Sequence, residues 1–93
     1  MTTERERFAA LVGQQVVVDT DSQHLYIGKL ESVDEAVLEL TEADVHDSQT
    51  TATTRDLYII NTKKFGIKKN RERVLVRMAR VLSVSAMQDV TPY

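Results

Sequence analysis

Three side chains that can bind a metal ion alternate along one stretch of the 93-residue sequence: Glu42, Asp44 and His46. Alternate residues of a strand share one face, so this spacing would bring two carboxylates and an imidazole together, and such donors suit a divalent cation. A polar strand end in water explains the same residues more simply, and we favour that interpretation. His24 is the only other histidine, which leaves little material for a histidine-based catalytic centre.

Other patterns that could carry catalysis are also incomplete. Ser83 and Ser85 alternate on the outward face of a predicted strand without a nearby base, and Asp19 and Asp21 flank a turn. The three glycines lie far apart and form no phosphate-binding loop, and the absence of cysteine excludes a disulfide framework and a thiolate zinc site. We therefore predict no enzymatic activity, no cofactor, no bound metal and no small-molecule substrate.

Positive charge is concentrated in the second part of the chain. Residues 1–62 carry 4 basic and 12 acidic side chains, whereas residues 63–93 carry 8 basic and 2 acidic ones, although the net charge is only −2. The eight basic residues are Lys63, Lys64, Lys68, Lys69, Arg71, Arg73, Arg77 and Arg80. With Tyr58 and Phe65 nearby, they can hold a phosphate backbone and stack a base. The alternative is a solvated face, or ion pairs with the acidic first part across subunit boundaries.

The sequence contains no membrane or export signal. The first residues, MTTERERF, lack the apolar core of a signal peptide. The apolar runs, such as Leu57 to Ile60, are far shorter than the ~20 residues of a membrane helix. The lack of cysteine fits a reducing interior. We predict a cytoplasmic protein that does not associate with a membrane.

The elements that position these residues follow from the apolar periodicity. Thr3 and Glu6 stand in capping-box spacing and begin a short amphipathic helix that runs to Val12 and stops at Gly13. Three strand patterns follow, over residues 14–20, over residues 24–33 and in a run after residue 35.

One side of these strands is expected to form the core. The side chains expected inside are Val16, Val18, Leu25, Ile27, Leu30, Val33, Leu38, Leu40 and Ala43. Val17 falls on the outer side, with Gln15 and Asp19. Gly28 interrupts the second strand pattern, and a strand glycine is typical of a sharp bend or a bulge.

Loop and helix signals separate the third strand from the fourth. Residues 46–54 have no apolar periodicity and predict a mobile loop. Thr53 and Asp56 then stand in capping-box spacing and Gly66 can end a helix, with a strand through Leu57 to Ile60 as the alternative. Two closing strands are predicted over residues 73–77 and 81–86, around a turn at residues 78–80.

This order of elements, together with the spacing of particular residues, resembles the Sm-like family. The first family motif is matched by Leu11, Gly13, Val16, Val18, Thr20, a turn at Gln23, Gly28, Leu30 and Asp34. The second is matched by Val76, Arg77, Met78, Val81 and Val84. The resemblance implies a single domain over residues 1–93, with a variable insertion at positions 47–70. The implied fold is mainly β: a short N-terminal helix and a five-stranded, strongly bent, antiparallel SH3-like open barrel, with a helical insertion between strands 3 and 4.

The resemblance also implies a homo-oligomeric ring. In this family the fourth and fifth strands pair with neighbouring subunits, which covers sheet edges that would otherwise be open. The residues expected at this interface are Val74, Leu75, Val76, Val81, Leu82 and Val84.

RNA is the ligand that the resemblance implies, but the family's pocket is incomplete here. In the family, a stacking residue and then an asparagine follow the aspartate, and an Arg-Gly pair closes the pocket. Asp34 and Arg77 match, whereas Ala36, Leu38 and Met78 replace the stacking residue, the asparagine and the glycine. Because no side chain remains there to stack on a base or offer it an amide, we do not expect the usual uridine pocket.

The leading hypothesis is therefore a homo-oligomeric ring that contacts single-stranded RNA largely through basic residues. The residues predicted to bind RNA are Asp34, Lys68, Lys69, Arg71, Arg73 and Arg77. A ring-forming structural or protein-interaction module without nucleotide recognition is the second hypothesis. A subunit of a hetero-oligomeric ring is the third.

Overall fold

The computed structural model describes residues 3–49 and 54–91, and within these ranges the chain forms two α-helices and five strands. They are α1 (Glu4–Ala9), β1 (Gln15–Thr20), β2 (His24–Val33), β3 (Val37–Asp47), α2 (Arg55–Phe65), β4 (Arg71–Arg77) and β5 (Val81–Ala86), with 3₁₀ turns at Met78–Arg80 and Met87–Asp89. The predicted fold class is confirmed, including the helix between the third and fourth strands.

The five strands form one antiparallel sheet in the order β4-β3-β2-β1-β5. Within the described ranges, β4 pairs with β3 alone and β5 pairs with β1 alone, so the sheet stays open. Each terminal strand therefore presents a row of backbone N–H and C=O groups at its outer edge.

The first helix begins as predicted and ends earlier than predicted. The Thr3 hydroxyl accepts a hydrogen bond from the Glu6 amide at 3.1 Å and donates one to the Glu6 carboxylate at 3.1 Å, so Thr3 caps the first turn. The helix ends at Ala9, and turns then lead to Gly13 at φ +94°. The Gly13 amide donates to the Leu30 carbonyl at 2.8 Å and fixes this turn against β2.

The sheet buries apolar side chains on both of its faces. The inner cluster consists of Val16, Val18, Leu30, Leu38, Leu40, Ala43 and Val76. The outer cluster consists of Val17, Leu25, Ile27 and Met87, with Tyr58, Ile59, Ile67 and Val90 packed against it. Helix α2 supplies part of this cover, so its docking completes a second core.

The outer cluster corrects part of the assignment made from periodicity. Leu25 and Ile27 were expected on the same side as Leu30, but they lie on the opposite face. Val17 does point outward, yet it is only 2% exposed because α2 and the turn at Met87 cover that face. A strand pattern shows which residues alternate, but it does not show that a distant helix covers the second face.

A bulge bends β3 where it passes Gly28. Ile27 pairs with Asp44 and Lys29 pairs with Thr41, so Glu42 and Ala43 together face the single residue Gly28. Glu42 adopts φ +48°, a left-handed conformation that is uncommon for a non-glycine residue. The glycine predicted to mark a bend therefore lies opposite a β-bulge, and such bulges bend a strand.

The bulge also changes which side chains share a face. Glu42, Asp44 and His46 were expected on one face, but Glu42 is exposed while Asp44 and His46 are buried beneath α2. The described residues contain no cluster of three acidic or histidine side chains that could hold a metal ion. The loop predicted from residue 46 begins later, because β3 continues through Asp47.

The insertion forms a helix, and the alternative strand through Leu57 to Ile60 is wrong. Thr54 caps α2 by accepting a hydrogen bond from the Leu57 amide at 3.2 Å, while Thr53 lies outside the described residues. Gly66 ends the helix as predicted, at φ +91°, and its amide donates to the Thr62 carbonyl at 2.8 Å. In the described ranges, no helix is long and apolar enough to cross a membrane.

Replacing Gly28 by alanine should destabilise the domain by roughly 1–3 kcal/mol. The new Cβ would lie 3.0 Å from the Thr41 carbonyl oxygen and 3.1 Å from Ala43 Cα, and neither backbone can move without disturbing the bulge. Urea denaturation at fixed protein concentration measures the change. Ser85→Ala, an exposed strand position, is the control. Equal stability of G28A and S85A would contradict this account of the bend.

Candidate nucleic-acid interface

Asp34 stabilises the turn between β2 and β3 through hydrogen bonds. Its Oδ1 atom accepts hydrogen bonds from the Ala36 and Val37 amides, both at 2.8 Å, and its own amide donates to the Val37 carbonyl at 2.9 Å. The amides of Val37 and Ala36 hold the pKa of the Asp34 carboxyl below its usual range. This aspartate therefore builds the turn, and one of its two carboxylate oxygens is already occupied.

The fold brings Arg77 to the same end of the sheet as Asp34. Arg77 lies opposite Val37 in the ladder, and the following amide, of Met78, donates to the Ala36 carbonyl at 2.9 Å. Arg77 is exposed and forms no ion pair with any described residue. The two polar residues matched to the family pocket are thus neighbours in space as well as in the motif.

The cleft at this end of the sheet is a poor site for a polyanion. It has a volume of about 480 Å³ and is lined by Thr3, Glu4, Arg5, Phe8, Asp34, Glu35, Met78 and Ala79. Three of these side chains are carboxylates, and the one cation among them, Arg5, already pairs with Glu35 at 3.3 Å. Its charge agrees with the sequence expectation that the usual uridine pocket is missing.

The basic stretch before and within β4 divides into paired and free cations. Arg73 pairs with Glu39 at 3.0 Å and Lys69 with Glu72 at 2.8 Å. Arg71 donates to the Asn70 carbonyl at 2.9 Å. Lys68 is exposed and has no ion pair with a described residue. The six predicted RNA-binding residues therefore do not form one site. Asp34 and Arg77 lie near the C-terminal end of β4, and the other four lie before its start or within its first residues. Each residue along the strand adds roughly 3.3 Å to the distance from Arg77.

Ion pairs with the acidic first part of the chain do form, and they form within the subunit. Arg80 contacts Asp21 at 2.7 Å, and Arg73 contacts Glu39 at 3.0 Å. These contacts neutralise some of the cations that composition alone presents as available for phosphate.

Free cations also flank the C-terminal end of α2. Lys64 and Lys68 form no ion pair in the described ranges, and Phe65 between them is 79% exposed. Lys63 differs, because its ammonium donates to the Gln88 carbonyl at 3.1 Å and also to the Val90 carbonyl. A cleft of about 320 Å³ lies beside this turn, lined by Tyr58, Asn61, Thr62, Phe65, Gly66 and Lys68.

A buried polar network anchors α2 to β3. Asp44 is 2% exposed, and its carboxylate accepts hydrogen bonds from the Tyr58 hydroxyl and from the Asn70 side-chain amide at 3.0 Å. The Asn70 side chain also accepts from the Val45 amide at 3.0 Å and donates to the Val45 carbonyl at 3.1 Å. Asn70 thus extends the pairing of β3 beyond the start of β4.

Tyr58 supplies one of the two side-chain hydrogen bonds to the buried Asp44 carboxylate. Burial, and then the hydrogen bond to Asp44, raise the pKa of Tyr58 far above its usual range, so the hydroxyl stays protonated. The ring stacks on His46 with a centroid separation of 3.7 Å, while the buried Nε2 atom of His46 has no hydrogen-bond partner among the described residues. The favoured interpretation of Asp44 and His46 as a strand end in water is therefore wrong. Alternation located both residues, but it did not identify their partners Tyr58 and Asn70.

The two outer strands expose fewer apolar side chains than their composition suggests. Val76 belongs to the inner cluster, and Val74, Val81 and Val84 pack against it. Leu75 and Leu82 remain 59% and 70% exposed, one on each outer strand. Of the six residues predicted at a subunit interface, these two leucines are the side chains that the fold leaves uncovered.

No protein-family model and no curated protein matches the sequence. Solved structures do match: an Sm protein of Pyrococcus abyssi, in complex with a uridine heptamer, is 15% identical with a TM-score of 0.62, over 90% of this chain and 97% of that chain. An Sm-like protein of Archaeoglobus fulgidus is 18% identical with a TM-score of 0.62, over 92% and 96% of the two chains. The chain therefore has the Sm fold.

Replacing Tyr58 by phenylalanine should destabilise the domain by about 1–3 kcal/mol, because the buried Asp44 carboxylate loses a donor. Tyr26→Phe is the matched control, since the Tyr26 hydroxyl forms no hydrogen bond with a described residue and should change stability by less than about 0.5 kcal/mol. Urea denaturation of both variants compares them. Equal effects would show that the hydroxyl does not anchor α2.

Because of Asp34, part of the domain's free energy of unfolding should vary with pH in the acid range. Its folded pKa lies below the ordinary value of 3.8, so its contribution is present above that pH and is lost as the pH falls through the folded value. Asp34→Asn cannot titrate. The difference in unfolding free energy between wild type and D34N should therefore shrink as the pH falls from about 5 to about 2. A difference that is constant over this range would contradict the proposed role.

Proposed function

We propose that the chain is a divergent Sm-like protein that assembles into a homo-oligomeric ring and binds single-stranded RNA largely through phosphate contacts. The observation that carries the proposal is the Sm fold combined with free cations at Lys64, Lys68 and Arg77. The protein binds without catalysing a reaction. A cytoplasmic location stays a prediction that rests on the cysteine-free sequence.

The open sheet supports assembly through its outer strands. β4 and β5 each have one unpaired edge, and each carries one exposed leucine, Leu75 or Leu82. Pairing β4 of one copy with β5 of the next is a heterologous contact, and heterologous contacts close into rings when the rotation allows. Both edges would then gain main-chain hydrogen bonds while the two leucines lose contact with water.

The distribution of charge supports phosphate binding and ranks the candidate residues. Lys68 and Arg77 can contact phosphate without breaking an ion pair. Lys69 and Arg73 must first give up their ion pairs with Glu72 and Glu39. Arg71 has no ion pair in the described ranges and keeps free donors besides the one bonded to Asn70. A ring repeats each of these weak contacts around one particle, which raises the affinity for a long strand.

A ring-forming structural or protein-interaction module is the second candidate, and the acidic cleft at Asp34 favours it. Glu4, Asp34 and Glu35 line the cleft beside this turn, and Ala36 offers no stacking surface. The third candidate is a hetero-oligomeric ring with this chain as one subunit, since the edges of β4 and β5 can also pair with a related chain.

Leu75→Glu and Leu82→Glu should each reduce the mass of the native particle, because a carboxylate at an interface strand edge is costly to desolvate. Light scattering measures the mass, and circular dichroism checks that each variant is folded. Leu57→Glu is the control, because Leu57 is 49% exposed on α2 and belongs to neither outer strand. Edge variants with the wild-type mass, or a wild-type chain that stays monomeric, would contradict homo-assembly.

Removing free cations should weaken RNA binding more than removing paired cations. K68A/R77A and R73A/R80A carry the same change in charge, but the second pair is already neutralised by Glu39 and Asp21. Anisotropy titrations with oligo-U, oligo-A and mixed RNA over a range of salt measure affinity. The slope of log K against log salt should fall by about 0.7 for each lost phosphate contact in K68A/R77A. Equal slopes in the two double variants, or no RNA binding by wild type at low salt, would contradict the proposal.

A further inference from the structure

The cleft on α2 has a lining that is chemically distinct from the cleft at Asp34. Tyr58, Asn61, Thr62 and Phe65 stand at i, i+3, i+4 and i+7, so they form one stripe along the helix. Gly66 and Lys68 complete the lining, and none of the lining residues is acidic. The volume of about 320 Å³ lies at the small end of the ~300–1,000 Å³ typical of ligand sites. The space therefore suits one compact ligand.

The groups around this cleft match the parts of a nucleotide. Phe65 offers an aromatic face that the fold leaves 79% exposed. The Asn61 amide is exposed and forms no hydrogen bond with a described residue, so both its donor and its acceptor are available to the edge of a base. Lys68 in the lining and Lys64 beside Phe65 are cations without an ion pair in the described ranges.

The cleft is held in shape before any ligand arrives. The Tyr58 hydroxyl is bound to the buried Asp44, and the Thr62 hydroxyl donates to the Tyr58 carbonyl at 2.9 Å. Lys63 ties the same turn to the Gln88 and Val90 carbonyls. Because the helix is already fixed, a ligand has to order few groups, which lowers the free-energy cost of binding.

We propose that this cleft binds one unstacked nucleotide of a single-stranded RNA, with the base against Phe65, the base edge at Asn61 and the phosphate near Lys64 and Lys68. The inference rests on the proposed function and adds a base-recognition site, at a place distant from the turn at Asp34. The free cations and the lack of carboxylates in the lining favour a nucleic acid over a peptide without acidic side chains.

The test uses substitutions at Phe65 in the full chain. F65W keeps an aromatic face, and since the chain has no tryptophan its indole is a specific fluorescence reporter. F65L keeps an apolar side chain but cannot stack. Leu57→Ala is the control, because Leu57 is a half-exposed apolar residue of the same helix outside the cleft.

Stacking predicts that F65L binds mixed-sequence RNA at least about fivefold more weakly than wild type, whereas F65W and L57A bind as wild type does. RNA should also quench the indole fluorescence of F65W, and 5′-nucleoside monophosphates should shift the NMR signals of Asn61 and Lys68. Asn61→Ala should reduce the preference among the four monophosphates.

The outcomes separate this inference from the proposed function. If wild type binds RNA and F65L binds equally well, the nucleotide site is wrong while RNA binding stands. If F65L lowers the mass of the particle, Phe65 is a subunit contact and the nucleotide site is again wrong. If wild type binds no RNA, the proposed function fails, and the cleft is not an RNA site even if the monophosphates still shift its signals.

Discussion

The close approach of β2 and β3 at Gly28 is the constraint on which the rest of the molecule depends. Glu42 and Ala43 face one residue there, and a Cβ at Gly28 would meet the Thr41 carbonyl oxygen at 3.0 Å. The resulting bend curves the sheet around the inner cluster. The extra residue also turns Asp44 and His46 away from that cluster, so the far half of β3 presents a polar surface to α2.

The position of α2 connects the bulge opposite Gly28 with the proposed nucleotide site. A carboxylate as buried as that of Asp44 needs donors, and Tyr58 supplies one from α2 while Asn70 supplies another from the residue before β4. The helix is thereby fixed over the outer cluster, and its last turn projects Phe65 beside free cations. The turn at Asp34 differs, because backbone amides donate hydrogen bonds to the Asp34 carboxylate and acidic side chains line the adjacent cleft. The proposed base-recognition site therefore lies at the insertion and not at the turn.

Local sequence patterns predict most of the fold and less of the site. Alternating valines, the capping box at Thr3 and the glycine at 28 each act over a few residues, and the structure contains the strands, helix and bend that they predict. The sequence does not locate the bulge in β3, because a glutamate and not a glycine occupies its left-handed position. Which cations are free depends on contacts such as Arg80 with Asp21, 59 positions apart. Long-range pairing of this kind has no local signature, so composition overstates the basic surface.

The mass of the native particle, measured with and without a single-stranded RNA, tests the central claim most directly. A homo-oligomeric RNA-binding ring predicts one species at an integer multiple of the subunit mass, which increases by the mass of a whole RNA strand at low salt and loses that increment as salt rises. A particle with the mass of one subunit, or an oligomer whose mass never changes with RNA, would contradict it.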